Sequence, residues 1–171
     1  MGSALLGRVK YETWLWTGKA RYHLWQKWRG GDLLSGPIGE STKIHFSSTE
    51  AGAPGENMWA DKVGRDTYEL KNNGFFFPVA MGDLVRVKVV WPLLEVIEVV
   101  ERKRRTARIL FDLPWPDRSG RAELGAALRE MGYQVEWGQP NLLSVGVPMA
   151  DDPYETISPL LSENARIYEV E

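Results

Sequence analysis

The chain has 171 residues, 43% of them hydrophobic and 26% charged, no cysteine, and a net charge of −2. That length suits one large domain or two small ones. It buries roughly 68–70% of the unfolded surface without metal or disulfide staples, and the composition excludes a disordered or fibrous chain. The lack of cysteine excludes a disulfide framework, a cysteine–zinc site and a catalytic thiol, and it fits an expected cytoplasmic location. The start, MGSALLGRVK, has too short an apolar run for a signal peptide. No run approaches the ~18 apolar residues of a membrane span.

The charge is uneven. Residues 1–31 carry six Lys/Arg and one acid, a net +5, and the remainder holds 15 Lys/Arg against 22 Asp/Glu, a net −7. Asymmetry of this kind marks a basic arm with its own partner, or an arm held on its own acidic body. Trp14, Trp16, Trp25 and Trp28, four of the chain's eight tryptophans, fall in the stretch WLWTGKARYHLWQKW with Lys19, Arg21 and Lys27. Val9, Tyr11, Thr13 and Leu15 alternate at strand period, and Gly18 suits a turn, so a β-hairpin is expected here. A helix over 20–28, with Ala20, Leu24 and Trp28 four apart, is the rival. The glycine-rich residues 30–40 read as a linker.

Ile44 and Phe46 begin a strand, and EAGAPGEN (50–57) reads as a loop. MWADKV and TYELK form a hairpin around Gly64-Arg65-Asp66. Asn72-Asn73-Gly74 is a turn signal before the apolar FFFPVAM. LVRVKVV (84–90) and residues 94–101 are strands divided at Pro92. Short, turn-linked strands imply a small barrel or a strongly bent sheet. From 104 the pattern changes: TARILFDL is a strand, residues 121–132 a helix closed by Gly132, and YQVEWG with LLSVGVP a hairpin. Residues 152–164 make a helix capped by Asp151-Asp152, with Pro159 kinking or dividing it, and ARIYEVE is the last strand. The expected fold is α+β: an N-terminal hairpin and linker (1–40), a β-rich barrel-like domain (41–103), and a ferredoxin-like βαββαβ domain (104–171).

Trp59, Tyr68, Asn73, the Phe75–Phe76 pair, Gly82-Asp83, Val85 and the run Val99 to Arg102 occur in that order. In this order they resemble a bacterial family catalogued as domain of unknown function 4265. The resemblance covers about residues 43–171 and leaves the N-terminal 40 or so outside. Lys103-Arg104-Arg105 stand where the family pattern implies a small or Gly/His turn. The resemblance implies an architecture and no activity.

Evidence for catalysis in the residues is thin. His23 and His45 stand far apart without a ligand-spaced partner, so no metal and no cofactor are expected. No GxSxG, HExxH or phosphate-cradling Gly-Lys-Ser/Thr occurs. Asp61, Asp66 and Asp83 are the carboxylates that a hydrolase or transferase would use, yet Asp66 and Asp83 sit in turns, where Asp bonds its own backbone. Nucleic acid is the better alternative, through Arg102, Lys103, Arg104 and Arg105 as phosphate contacts and the Trp-rich arm as a stacking platform. The ferredoxin-like strands carry no RNA-recognition aromatics in SVGV. An interfacial membrane arm would be an amphipathic helix, whereas the period of the arm leans to strand. Protein recognition fits best, with Trp14, Trp16, Trp25 and Trp28 as anchors beside Arg21 and Arg29, since Trp and Arg dominate binding hot spots. An immunity-type protein that occludes a toxin is one such role. The same tryptophans would serve equally well to close a core. The sequence leaves the oligomeric state open.

Overall fold

Strand period places every second side chain inside, and in this chain the inward rows decide both modules. The computed structural model describes residue 34 and residues 36–48, 55–112, 118–138, 141–161 and 165–170. The hairpin expected in the N-terminal arm lies outside the described residues.

Five strands, β1 (Ser41–Phe46), β2 (Glu56–Lys62), β3 (Thr67–Leu70), β4 (Leu84–Val90) and β5 (Leu93–Glu101), form a closed barrel in sequence order. Neighbours are antiparallel, while β1 closes on β5 in parallel at one register pair, His45 with Glu95. Ile44, Phe46, Met58, Ala60, Tyr68, Leu70, Val85, Val87 and Leu94 fill the interior, joined by Val79 from the β3–β4 loop. The β2 row begins and ends in charge: Glu56 and Lys62 are buried at its two ends. Glu56 and Asn57, read as loop from the sequence, are therefore strand. Lys62 Nζ donates to the carbonyls of Leu34 and Gly36, and Gly39 N–H donates to Lys62 O at 2.7 Å. The described part of the expected linker is thus fastened to the barrel by a buried ammonium that needs those acceptors.

The second module runs β6 (Arg104–Phe111), α1 (Arg118–Glu130), β7 (Gln134–Trp137), β8 (Leu142–Pro148), α2 (Pro153–Ile157) and β9 (Ala165–Val170). Its antiparallel sheet has the order β7-β8-β6-β9. Ala107, Ile109, Phe111, Leu143, Val145 and Val147 share one core with Leu124, Leu128 and Ile157 of the helices. Leu124 and Leu128 are four apart, one helical turn. Beyond α1, Gly132 adopts φ +80, and Tyr133 N–H reaches Leu128 O at 3.0 Å, closing the open carbonyls. Asp152 caps α2 through Tyr154 N at 2.8 Å. The long helix expected over 152–164 is divided: α2 ends at Ile157, and Pro159 sits in a 3-10 turn, Ser158–Leu160. Proline has no N–H to carry an α-helix onward.

The loop over 71–83, between β3 and β4, joins the modules. Glu56 accepts N–H groups of Phe75, Phe76 and Phe77 at 2.9, 3.0 and 3.4 Å. Asn73, fully buried, donates to Gln134 O at 3.1 Å and Ser144 O at 3.4 Å and accepts from Met81 N at 2.9 Å. Ser144 Oγ donates to Gly74 O at 2.7 Å, and Arg108 Nη1 to Phe75 O at 3.4 Å. Asp83 accepts from Ala80 N at 2.9 Å and Lys103 N at 2.8 Å.

Two variants test this junction. Asn73→Ala removes the bonds of a buried side chain to Gln134 O, Ser144 O and Met81 N, at about 1–3 kcal/mol for any buried group left unsatisfied. Its urea midpoint should fall well below the wild-type value with an unchanged m-value. Gly74→Ala would place a methyl into the Phe77 carbonyl oxygen, a backbone atom held in the same loop. Thermal unfolding should start several degrees earlier, and a melting curve equal to wild type would show that the loop is not tightly held.

Candidate functional site

The residues that the sequence singles out divide sharply by placement. Trp14, Trp16, Arg21, Trp25, Trp28 and Arg29 lie outside the described residues. Of the basic run, Arg102 and Lys103 form the link between β5 and β6, while Arg104 and Arg105 already belong to β6, opposite Pro148 and Val147. Arg102 Nη1 donates to Pro78 O, and Arg104 Nη1 donates to Gly132 O at 3.1 Å. The run is therefore part link and part strand, and two of its guanidinium groups hold backbone carbonyls.

The three candidate carboxylates answer to different partners. Asp61 accepts from Ser41 Oγ and pairs with Lys71 at 3.1 Å, and those two contacts, Ser41 first, hold its carboxyl below the usual range. Asp66 faces Arg86 at 3.8 Å. Asp83 is fully buried. Burial pushes its carboxyl up against the pull of the N–H groups of Ala80, Lys103 and Arg104. Both of its carboxyl oxygens are engaged by backbone N–H groups. Among the described residues no three or more His, Asp or Glu side chains are grouped to hold a metal ion.

A fourth acid escaped the sequence reading. Glu136 stands in one register row with Ser144 and Arg108 across β7, β8 and β6. The signal was present: in QVEW, Val135 and Trp137 pack against the helix-side core, which sends Gln134 and Glu136 to the opposite face. What the sequence does not reveal is that the β3–β4 loop covers that face. Burial raises the Glu136 carboxyl above its ordinary value; the Asn73 N–H pulls it down, and the Glu56 charge adds to the rise.

The exposed counterpart of this buried seam is the β4–β5 hairpin. Val89 pairs with Leu94 and Val90 with Leu93, and the turn is Trp91-Pro92. From Lys88 to Leu93 every residue is exposed, on both faces of the ribbon. Trp91 is 66% exposed and Ile97, on the stem, 52%. The stem's charges are matched within the barrel: Arg86 with Glu98, and Lys88 with Glu95 at 3.0 Å. Beside the stem lies the barrel closure. Ser47 Oγ donates to Glu95 Oε1 at 2.6 Å, and the His45 ring bonds Asn57 at 3.0 Å. The Ser47 hydroxyl, then Lys88, keep the Glu95 carboxyl below its usual range. Sequence reading took Pro92 as mere punctuation, because apolar residues around a turn look the same whether a core or solvent receives them.

Glu136 yields a pH prediction. Its raised value in the fold means that the protonated form is favoured there, so its stabilising contribution is complete below the unfolded-state value and is lost as pH rises through the folded-state value. Glu136→Gln should therefore be more stable than wild type at neutral pH. Denaturant titrations from pH 4 to 8 should show the difference growing with pH and then levelling off.

Similarity to known proteins follows the same division. A chain in the crystal structure titled "Novel crystal structure of a hypothetical protein from Neisseria gonorrhoeae" is 17% identical and aligns over 77% of this chain and 95% of its own, with a TM-score of 0.52. That likeness concerns the fold alone. No curated protein matches the chain. The sequence profile of a family described as a domain of unknown function, DUF4265, matches residues 56–168, the span from the carboxylate that holds the loop to the last strand. The chain belongs to this DUF4265 family.

Proposed function

We propose that this protein is a non-catalytic module that recognises a protein partner, and that the β4–β5 hairpin is part of the recognition surface. The observation that carries this reading is the two-sided apolar ribbon from Val89 to Leu93, which projects beyond the last inward-facing residues of its strands, Val87 and Leu94. A two-stranded ribbon without a face on a core gains little stability from its own apolar side chains. An exposed apolar patch of this kind marks an interaction site. Because the stem's charges are already matched, the surface suits an apolar groove more than a charged one. Trp14, Trp16, Trp25 and Trp28, with Arg21 and Arg29, are further anchors for the partner in this reading. A toxin-neutralising or regulatory role in the cytoplasm is its specific form.

We also read residues 104–170 as a ferredoxin-like unit. The βαββαβ order, the strand order β7-β8-β6-β9 and one core shared by both helices support this. No helix among the described residues is long and apolar enough to cross a membrane.

The test is capture from native lysate, with and without nuclease, beside a Trp91→Ser/Leu93→Ser variant. Surface changes of this kind alter stability by about 0.5 kcal/mol or less, so the variant's melting temperature should stay near wild type. A stoichiometric protein that survives nuclease and is lost or weakened at least tenfold with the variant is the expected result. Retention of that protein by the variant would remove the hairpin from the interface. Nuclease-sensitive nucleic acid would favour Arg102, Lys103, Arg104 and Arg105 instead.

A further inference from the structure

Gly146 of β8 stands between two polar side chains. It pairs with Thr106 of β6 on one side and with Gln134 of β7 on the other. Directly opposed residues of antiparallel strands point to the same face, so Thr106 and Gln134 rise on either side of a residue without a side chain. This is the face that the β3–β4 loop covers through Asn73. Thr106 is 1% exposed. Its Oγ1 and the Oε1 of Gln134 are both buried, and neither has a hydrogen-bonding partner among the described residues. The space over Gly146 is bounded by oxygens: a methyl added there would lie 2.7 Å from Gln134 Oε1 and 3.1 Å from Asn73 Oδ1. Asn73 Oδ1 accepts from Met81 N, and a carbonyl oxygen has a second lone pair to offer. Gly146 has no positive φ, so its lack of a side chain matters through space and not through backbone conformation. A glycine inside a strand marks a place where another group comes close.

We propose that a water molecule is bound over Gly146 and ties the β3–β4 loop to the sheet. It accepts a hydrogen bond from Thr106 Oγ1 and donates one each to Gln134 Oε1 and Asn73 Oδ1. The set of partners fits water in number and in sense. The hydroxyl can donate, whereas the two amide oxygens can only accept. Water offers two hydrogens and a lone pair, and about three hydrogen bonds hold a typical buried water. A hydroxyl and an amide oxygen buried without partners are costly, and such groups in folded proteins are satisfied by protein or by ordered water. A cation suits the place less well, because all three oxygens are neutral and a buried charge without a counter-charge is far more costly than a buried dipole. The glycine belongs to the site, since a side chain at position 146 takes the room that the water needs. The bridge adds to the bonds by which Asn73 and Ser144 already join loop and sheet. It is independent of which partner the protein recognises.

A crystal structure of the full chain, at a resolution that shows ordered waters, tests this directly. The expected result is an oxygen peak over Gly146, about 2.6–3.0 Å from Thr106 Oγ1, Gln134 Oε1 and Asn73 Oδ1. Clear density for the three side chains with no peak between them would overturn the proposal. So would a Gln134 amide turned to donate directly to Asn73 Oδ1, or a peak about 2.4 Å from all three oxygens, the distance of a bound cation. Amide hydrogen exchange gives a second readout in solution. Thr106→Val keeps the outline of the side chain and removes the hydroxyl. Exchange of the Met81 amide, which Asn73 Oδ1 holds, should then quicken about two- to tenfold, with the α1 amides unchanged. Gly146→Ala, which displaces the water and keeps the hydroxyl, should quicken the same amide. Unaltered Met81 exchange in both variants would overturn the bridge. Should either variant fail to fold, the wild-type crystal structure decides alone.

Discussion

A single carboxylate, that of Glu56, accepts three consecutive backbone N–H groups, from Phe75 to Phe77, and the rest of the molecule is arranged around that contact. A buried ionised carboxylate is costly unless several donors surround it. A loop that presents successive N–H groups is equally costly to bury without acceptors. Each solves the other's problem. With the loop fixed, Asn73 reaches Gln134 and Ser144, Ser144 reaches Gly74, and Asp83 takes the N–H of Lys103. The barrel and the four-stranded sheet are thereby joined through hydrogen bonds rather than through a shared apolar core. Their two apolar clusters have no residue in common.

This explains why the motif residues of the family resemblance are poor guides to activity. Asn73, Phe75, Gly82, Asp83 and Arg102 look like the parts of a site, being polar or glycine residues in an ordered series. In the structure Asn73 and Asp83 satisfy backbone groups, Gly82 takes φ +94 at a turn, and the Phe75 ring lies over Gly138, where an added methyl would crowd it. Arg102 holds the Pro78 carbonyl. Buried polar groups with complete partners specify one arrangement of a core, and that is reason enough for such a series to exist without any chemistry.

What the sequence made legible was local. Alternation in KIHF, MWADK, TYEL and LVRVK placed the barrel strands, and Leu124 with Leu128 placed the first helix, because period alone decides which face is apolar. Asp152 and Pro159 were readable for a similar reason, since a cap and a missing N–H act within one turn. Long-range polar contacts were not readable. Glu56 looked like part of a loop because its partners are 19 to 21 residues away. Glu136 was not singled out, because the loop that covers it precedes it by about sixty residues. The Trp-rich arm, the most conspicuous feature of the sequence, bears on function only through composition.

The two ends of the β2 inward row extend the same reasoning to the hairpin. Glu56 and Lys62 interrupt an apolar row with charge, and each charge fastens a segment that lies outside the barrel's strands. The chain thus spends buried charge wherever a segment must be held in place. Among the described residues no such device fastens the β4–β5 ribbon. Its valines, tryptophan and leucine extend past the core, and below them the polar closure of Ser47, Glu95 and Lys88 holds only the stem. In a protein that elsewhere fixes its loops with partnered charges, this contrast in the described surface is what supports the proposal that the ribbon meets another molecule.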